Sequence, residues 1–259
     1  MPRLFLSSTP RSGNTWVRRM LARALGLQET AVHTPSQLDW ISQPADVIVQ
    51  MHWRWSSNFE ALLRSHGFQT ICVIRHPLDV LVSILHFCAF EPQTTRWLDG
   101  ASGDETSILD ATPVSREFSD YCLSERASQL LAVSVDWARA HDQSNKVPVI
   151  RYESLVSDPV ETLVSLLDEI SLAPVTALEA VVAEYTLDRS RQESTNHHFW
   201  MGQPGLWRRL LPAEIAKVIG EKHRGVLDAL GYECNPDPAL GVAEAERAWG
   251  MISQKRRRT

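Results

Sequence analysis

Short apolar runs rich in β-branched residues alternate along this chain with stretches whose apolar positions recur at helical spacing. Leu4-Phe5-Leu6 is the first run, and the turn residues Ser7-Ser8-Thr9-Pro10 end it. From Thr15 to Leu25, the residues Trp16, Val17, Met20, Leu21, Ala24 and Leu25 fall on one helical stripe. Asp46-Val47-Ile48-Val49, Ile71-Cys72-Val73-Ile74 and Pro148-Val149-Ile150 read as three further strands. Helices are predicted over Asp79 to Phe87 and over Val160 to Ile170, the second with Asp158 as its cap and Pro159 at its first position. Pro212 to Leu230 reads as one more helix, stopped by Gly231. Strands separated by helices cannot close into hairpins, so the pattern predicts an α/β fold with a central, mostly parallel sheet flanked by helices.

No repeat or linker divides the chain, and its 259 residues suit a single domain over 1–259. The stretch from Glu91 to Arg116 carries Pro92, Gly100, Gly103 and Pro113 with little periodicity. A loop of that length is functional or disordered, so 91–116 is expected to be a lid-like insertion or a plain surface one. Lys255-Arg256-Arg257-Arg258 makes 250–259 a frayed basic tail or a charged contact.

Hydrophobic residues make up 44% and charged residues 22%, enough to bury a sizeable core. A net charge of −5 argues against nucleic acid and anionic membranes as partners. The opening apolar run is shorter than a secretory core segment, and no apolar stretch reaches the ~18 residues that a membrane span needs. Cys72, Cys88, Cys122 and Cys234 are far apart and form no C-x-x-C pair. They read as buried thiols in a reducing compartment, so a cytoplasmic location is expected.

The chemistry gathers at the carboxyl ends of the predicted strands, where open α/β sheets bind ligands. Between the first strand and first helix, Ser8 to Trp16 is rich in small residues whose N–H groups can curl around an anion. Arg11 adds a fixed cation and Thr15 a hydroxyl. The segment lacks the Gly-Lys pair of a G-x-x-x-x-G-K-S/T loop, and no other strand ends in an Asp for Mg²⁺. It suits a phosphate ester that needs no metal, although a plain turn can have the same composition. Arg75 follows the third strand with a side chain suited to bidentate phosphate contact, and Ser83 lies within two helical turns of Pro77. His52, just past the second strand, is the side chain best suited to take a proton near neutral pH.

These segments together resemble the PAPS-dependent sulfotransferase family, whose co-substrate is 3′-phosphoadenosine 5′-phosphosulfate. Thr9 to Trp16 is similar to the family's T-Y-P-K-S-G-T-T-W, with one residue fewer before Pro10 and Arg11 in place of Lys. Arg75 to Phe87 resembles R-N-P-K-D-V-x-V-S-x-x-H-F, with Arg75, Pro77, Asp79, Val80, Val82, Ser83, His86 and Phe87 in register. Gln50-Met51-His52 stands near the place of I-I-K-x-H, with Gln50 for the Lys. Tyr152 to Pro159 looks like Y-E-D-x-x-x-D-P, and Trp200 to Arg208 looks like R-K-G-x-x-G-x-W-K with Trp200-Met201 replacing the Arg-Lys pair.

The resemblance implies a P-loop-like three-layer fold and transfer of a sulfuryl group to a hydroxyl, less often an amine, of a small-molecule or glycan acceptor. The nucleotide product is 3′,5′-ADP, and no metal is involved. Arg11, Ser12, Gly13, Asn14 and Thr15 would hold the 5′-phosphosulfate, and Arg75 and Ser83 the 3′-phosphate. Tyr152, Thr186, Leu187 and Gly202 would contact the nucleotide. Trp16 would lie near the adenine or serve as a core anchor. His52 is the implied base. Gln50 can donate one hydrogen bond but cannot neutralise charge, which leaves Arg11 as the main stabiliser of the departing phosphate. Without the Arg-Lys pair, either Arg75 and Ser83 carry the 3′-phosphate or Arg189, Arg191 or Arg208 swings in.

His197-His198 could line the acceptor site, whereas His86 is expected to pack within its helix. Trp53, Trp55, Phe87, Phe90 and Trp97 suggest an aromatic or lipophilic acceptor pocket, or else core. Two other readings stay open: an ATP- and Mg²⁺-dependent kinase or NTPase, and a non-catalytic PAPS-binding homologue. Oligomeric state is not indicated.

Overall fold

The computed structural model describes residues 2–91, 105–144, 147–194 and 199–253. Trp97, His197, His198 and the basic run 255–258 lie outside them.

Five strands, β1 (Arg3–Ser8), β2 (Gln28–Ala31), β3 (Val47–Met51), β4 (Phe68–Ile74) and β5 (Val149–Arg151), pair in parallel in the order β2-β3-β1-β4-β5. Four of them are the expected strands. The additional one, β2, is an edge strand of mostly exposed polar residues, so no apolar run announces it.

Helices cover both faces of such a sheet, so its inner strands are apolar on both sides. The strand period of two divides their side chains. Leu4, Leu6, Ile48, Ile71, Val73 and Ile150 pack on the side of the helix Asn14–Leu25 and the helix Pro159–Glu169. Phe5, Val47, Val49, Cys72 and Ile74 face the other way, toward Phe59 and Trp137. A third cluster joins the helix Pro77–Phe90 to Phe118, Trp207, Leu210 and Ile219.

The side to which strands are added changes at β1: β2 and β3 lie to one side, β4 and β5 to the other. The crevice between β1 and β4 is therefore the switch point of the sheet, and the Ser8–Asn14 loop and Arg75 open onto it.

The helix after β4 is as expected and longer. The first helix after β5 is Tyr152–Ser157, and at the start of the next, Pro159–Glu169, Asp158 Oδ1 accepts the Glu161 N–H at 3.2 Å. Pro212 to Leu230 is not one helix but two, Ala213–Lys222 and Arg224–Leu230. His223 breaks them because its buried ring turns inward to reach the Cys122 carbonyl at 2.7 Å, which an apolar stripe does not reveal. The start of the expected tail is also ordered: residues 250–252 belong to the helix Val242–Ile252, anchored by buried Ala245 and Trp249. Of the expected insertion, Glu105 and Ile108 are buried against the fold, and residues 92–104 are outside the described set.

Cys72, Cys88 and Cys122 are buried, and Cys234 is half-buried. Burial raises the pKa of each thiol, that of Cys88 to about 12. Among the described residues no helix is long and apolar enough to cross a membrane.

The helix Glu125–Ser144 has no counterpart in the sequence pattern, yet it braces the loop after β1. Ser134 Oγ accepts the Thr9 N–H at 2.8 Å and donates to Val73 O at 3.2 Å, while Ser134 N–H donates to Thr9 Oγ1 at 3.2 Å. Ser134→Ala leaves a buried N–H and a buried carbonyl without these partners. It should cost about 1–3 kcal/mol, read as a lower denaturant midpoint at unchanged slope.

Candidate active site

The loop between β1 and its helix turns through two left-handed residues, Arg11 (φ 68°) and Gly13 (φ 92°). At residue 13 glycine is needed twice over. The backbone favours it, and a Cβ there would come within 2.5 Å of the Tyr152 ring. Gly13 caps the helix Asn14–Leu25 without a side chain. The first amides of a helix lack carbonyl partners in their own turn, so this N-terminus keeps donors for an anion.

Arg75 follows β4, lies over the Tyr152 ring at 4.5 Å, and donates from Nη1 to the Arg11 carbonyl at 3.1 Å. Arg11 lies over Phe87 at 4.6 Å and donates from Nε to Ser83 Oγ at 3.3 Å. The two cations are thus neighbours. Burial, and then the charge of Arg75, lower the Arg11 pKa to about 10, which still leaves it charged at neutral pH. Arg75 Nε and Ser12 Oγ are buried with no hydrogen-bond partner among the described residues. Orphaned donors beside two guanidiniums fit a multiply charged anion.

Tyr152 opens the helix after β5, and its hydroxyl donates to the Gly202 carbonyl at 2.8 Å. Burial raises its pKa, so it remains the protonated donor. The loop that it touches is also held from behind. Asp79 accepts the N–H groups of Gly205 at 2.7 Å and Trp207 at 3.0 Å.

His52 Nδ1 lies 2.9 Å from the Ser8 carbonyl. A carbonyl can only accept, so Nδ1 carries the proton and the neutral ring keeps its lone pair on Nε2. Asn14 Nδ2 lies 3.5 Å from that atom. Gln50 is buried, and its Oε1 accepts from Arg18 Nη1 at 2.8 Å.

Arg11, Gly13, Asn14, Thr15, Trp16, Arg75, Ser83, Tyr152, Leu187 and Gly202 line one cavity of about 60 Å³. Phe199 and Trp200, which were not among the expected site residues, line it too. Four expected residues do not. Ser12 is buried beneath the loop, and Thr186 is exposed, capping the helix Leu187–Glu193 through its side chain. His52 adjoins the cavity through Asn14, and Gln50, on β3, precedes His52 on the same face. Trp16 is both wall and core, 5% exposed and edge-on to Tyr152.

Where the resemblance asks for an Arg-Lys pair, Trp200 stacks on His86 at 4.0 Å and donates from Nε1 to Ile252 O at 3.2 Å. Arg189 and Arg191 pair with Glu193 and Asp188, Arg208 is exposed, and none of the three lines the cavity. A larger concavity of about 720 Å³ runs beside β5, but Asp158, Glu161, Glu169 and Asp228 line it and would repel an anion. Among the described residues, no three His, Cys, Asp or Glu side chains are grouped to hold a metal ion.

A model of the sulfotransferase domain matches residues 1–221. Among solved structures, the chain is similar to mouse sulfotransferase SULT7A1 complexed with PAP, at 17% identity and a TM-score of 0.65, over 90% of this chain and 89% of that one. It is also similar to retinol dehydratase in a complex with retinol and PAP, at 13% identity and a TM-score of 0.60, over 87% and 81% of the two chains. Retinol dehydratase in complex with androsterone and inactive cofactor PAP gives 12% identity and a TM-score of 0.59, over 87% and 80%. At these identities the likeness is one of fold. No curated protein sequence matches the chain.

Gly67 shares the left-handed backbone of Gly13, but a Cβ there would meet nothing within 4 Å. Gly67→Ala should therefore cost only backbone strain, about 1–2 kcal/mol. Gly13→Ala should cost about 1–3 kcal/mol more as Tyr152 is displaced, measurable by urea unfolding of the two variants side by side.

Proposed function

The chain belongs to the sulfotransferase domain family, and from that premise we propose that it moves a sulfuryl group from PAPS to a hydroxyl of a small-molecule or glycan acceptor. The observation that carries the reading is the packing of Arg11 beside Arg75, with Ser12 Oγ and Arg75 Nε left as orphaned donors at a helix N-terminus. A nucleotide with phosphate at two positions offers negative charge to both guanidiniums and acceptors to the orphaned donors.

In this reading the loop amides and Arg11 hold the 5′-phosphosulfate, while Arg75 and Ser83 hold the 3′-phosphate. Trp16, Tyr152 and Leu187 bound the nucleoside. His52 Nε2 takes the acceptor's hydroxyl proton as its oxygen attacks sulfur in line. The new S–O bond forms as the bond from sulfur to the phosphate oxygen breaks. The electron pair leaves on 3′,5′-ADP, whose phosphate charge the loop amides and Arg11 stabilise. No metal takes part in this scheme.

The cavity of about 60 Å³ is far below the ~300 Å³ at the lower end of ligand pockets, so Leu187, Phe199 and Trp200 must move apart as the nucleotide enters. Phe87 is 1% exposed and belongs to the core, whereas half-buried Phe90 supports a lipophilic or aromatic acceptor, and two structures of retinol dehydratase hold retinol and androsterone. Trp53 and Trp55 instead pack against the core on the opposite sheet face. Cysteines without disulfides support a cytoplasmic location.

The test uses calorimetry with PAP, followed by incubation with PAPS and a panel of phenols, sterols and sugars. A product heavier by one SO₃ group is expected. Arg75→Ala should weaken PAP binding about ten- to a hundredfold. His52→Ala should lower kcat by about 10²–10⁴ while PAP affinity stays within about twofold. Failure to bind PAP overturns the reading, and turnover of ATP with Mg²⁺ would replace it with a kinase. PAP binding without transfer to any acceptor would make the chain a non-catalytic homologue.

A further inference from the structure

Gln50 on β3 and His52 just past its end share one face, two residues apart. The helix Asn14–Leu25 crosses that face, and two of its residues, one turn apart, meet them in order. Asn14 Nδ2 reaches His52 Nε2 at 3.5 Å, and Arg18 Nη1 reaches Gln50 Oε1 at 2.8 Å. Two strand residues advance ~6.6 Å and four helical residues ~6 Å, so the two rows stay in step. Arg18 is itself fixed. Its Nε pairs with Glu29 on β2 at 2.9 Å, and its side chain is 14% exposed.

The oxygen and nitrogen ends of a carboxamide have nearly the same shape. A guanidinium, however, can only donate, so Arg18 decides which way Gln50 turns. The oxygen faces Arg18, and the two Nε2 hydrogens face away. Gln50 is 7% exposed, and among the described residues its side chain has no other hydrogen-bond partner. The Nε2 hydrogens, left without a protein acceptor, are available to an acceptor on a ligand.

We infer that Arg18 is the positioning residue that aims the Gln50 amide at the sulfuryl oxygens of bound PAPS, beside His52. The inference rests on the sulfuryl-transfer reading of this cleft and adds donor discrimination to it: Gln50 senses the group that PAPS has and PAP lacks. Arg18 touches neither nucleotide nor acceptor and acts only through Gln50.

The experiment needs no acceptor. Calorimetry compares PAPS with PAP on the wild type, Arg18→Ala, Arg18→Lys, Gln50→Ala and the Arg18→Ala/Gln50→Ala double variant. Arg18→Ala and Gln50→Ala are each expected to weaken PAPS by about tenfold and PAP by less than about twofold. The double variant is expected to bind PAPS no worse than the weaker single one. Arg18→Lys, which keeps one donor for Gln50 Oε1, should retain most of the PAPS preference. Equal loss of PAPS and PAP in Arg18→Ala would mean a purely structural role and overturn the inference. Additive losses, or unchanged PAPS binding, would overturn it too. A wild type that binds PAP but does not prefer PAPS refutes the Gln50 role alone, whereas flat titrations of the wild type with both ligands refute the family reading beneath it.

Discussion

The site depends on the two-residue period of a parallel strand. Leu4, Leu6, Ile48, Ile71, Val73 and Ile150 all point to the face covered by the helix Asn14–Leu25. Carried past the apolar stretch, the same alternation leads to Ser8, to Gln50 and His52, to Arg75 and to Tyr152. The register sets Ser8 beside Val73, Ser7 beside Met51 and Ile74 beside Arg151, so these ends stand nearly level. One face is thus a core along most of its length and a polar, cavity-lining surface at its rim. The rim meets the end of the helix where N–H groups are in surplus.

That rim holds an electrostatic tension. Arg11 and Arg75 repel one another, and the Arg11 backbone is left-handed at a residue other than glycine. The surrounding fold keeps the loop in this form. Ser134 ties Thr9 to β4, and the Arg11 carbonyl is bonded to Arg75 itself. An incoming polyanion removes the repulsion without having to shape the loop, which is preorganisation in the sense used for oxyanion sites.

Much of this is legible in the sequence. Strands β1, β3, β4 and β5 are locally apolar and bounded by turn residues, and the residues just beyond them carry the polar chemistry. The period-two rule by itself assigns Gln50 and His52 to one face of their strand. What stays hidden depends on distant partners. Polar β2 becomes a strand only because β3 offers it an edge. Ser134 lies 125 residues from Thr9 within a helix that has no motif. Arg18 looks like any polar position on the first helix until Gln50 is placed beneath it. His223 fits a continuous helical pattern, and only the Cys122 carbonyl shows why the helix breaks there. Thr186 and Leu187 differ in a way that only the fold shows: Leu187 lines the cavity, and its neighbour caps a helix.

Asp79 holds the 202–207 loop by its main chain, through the amides of Gly205 and Trp207. The 205–207 turn is therefore fixed through its own main chain, while Trp200 and Met201 are held separately by their packing on the core. Such a support leaves the exposed side chain of Arg208 free to change while the turn keeps its course. That surface position can then be retuned in evolution with little penalty in folding.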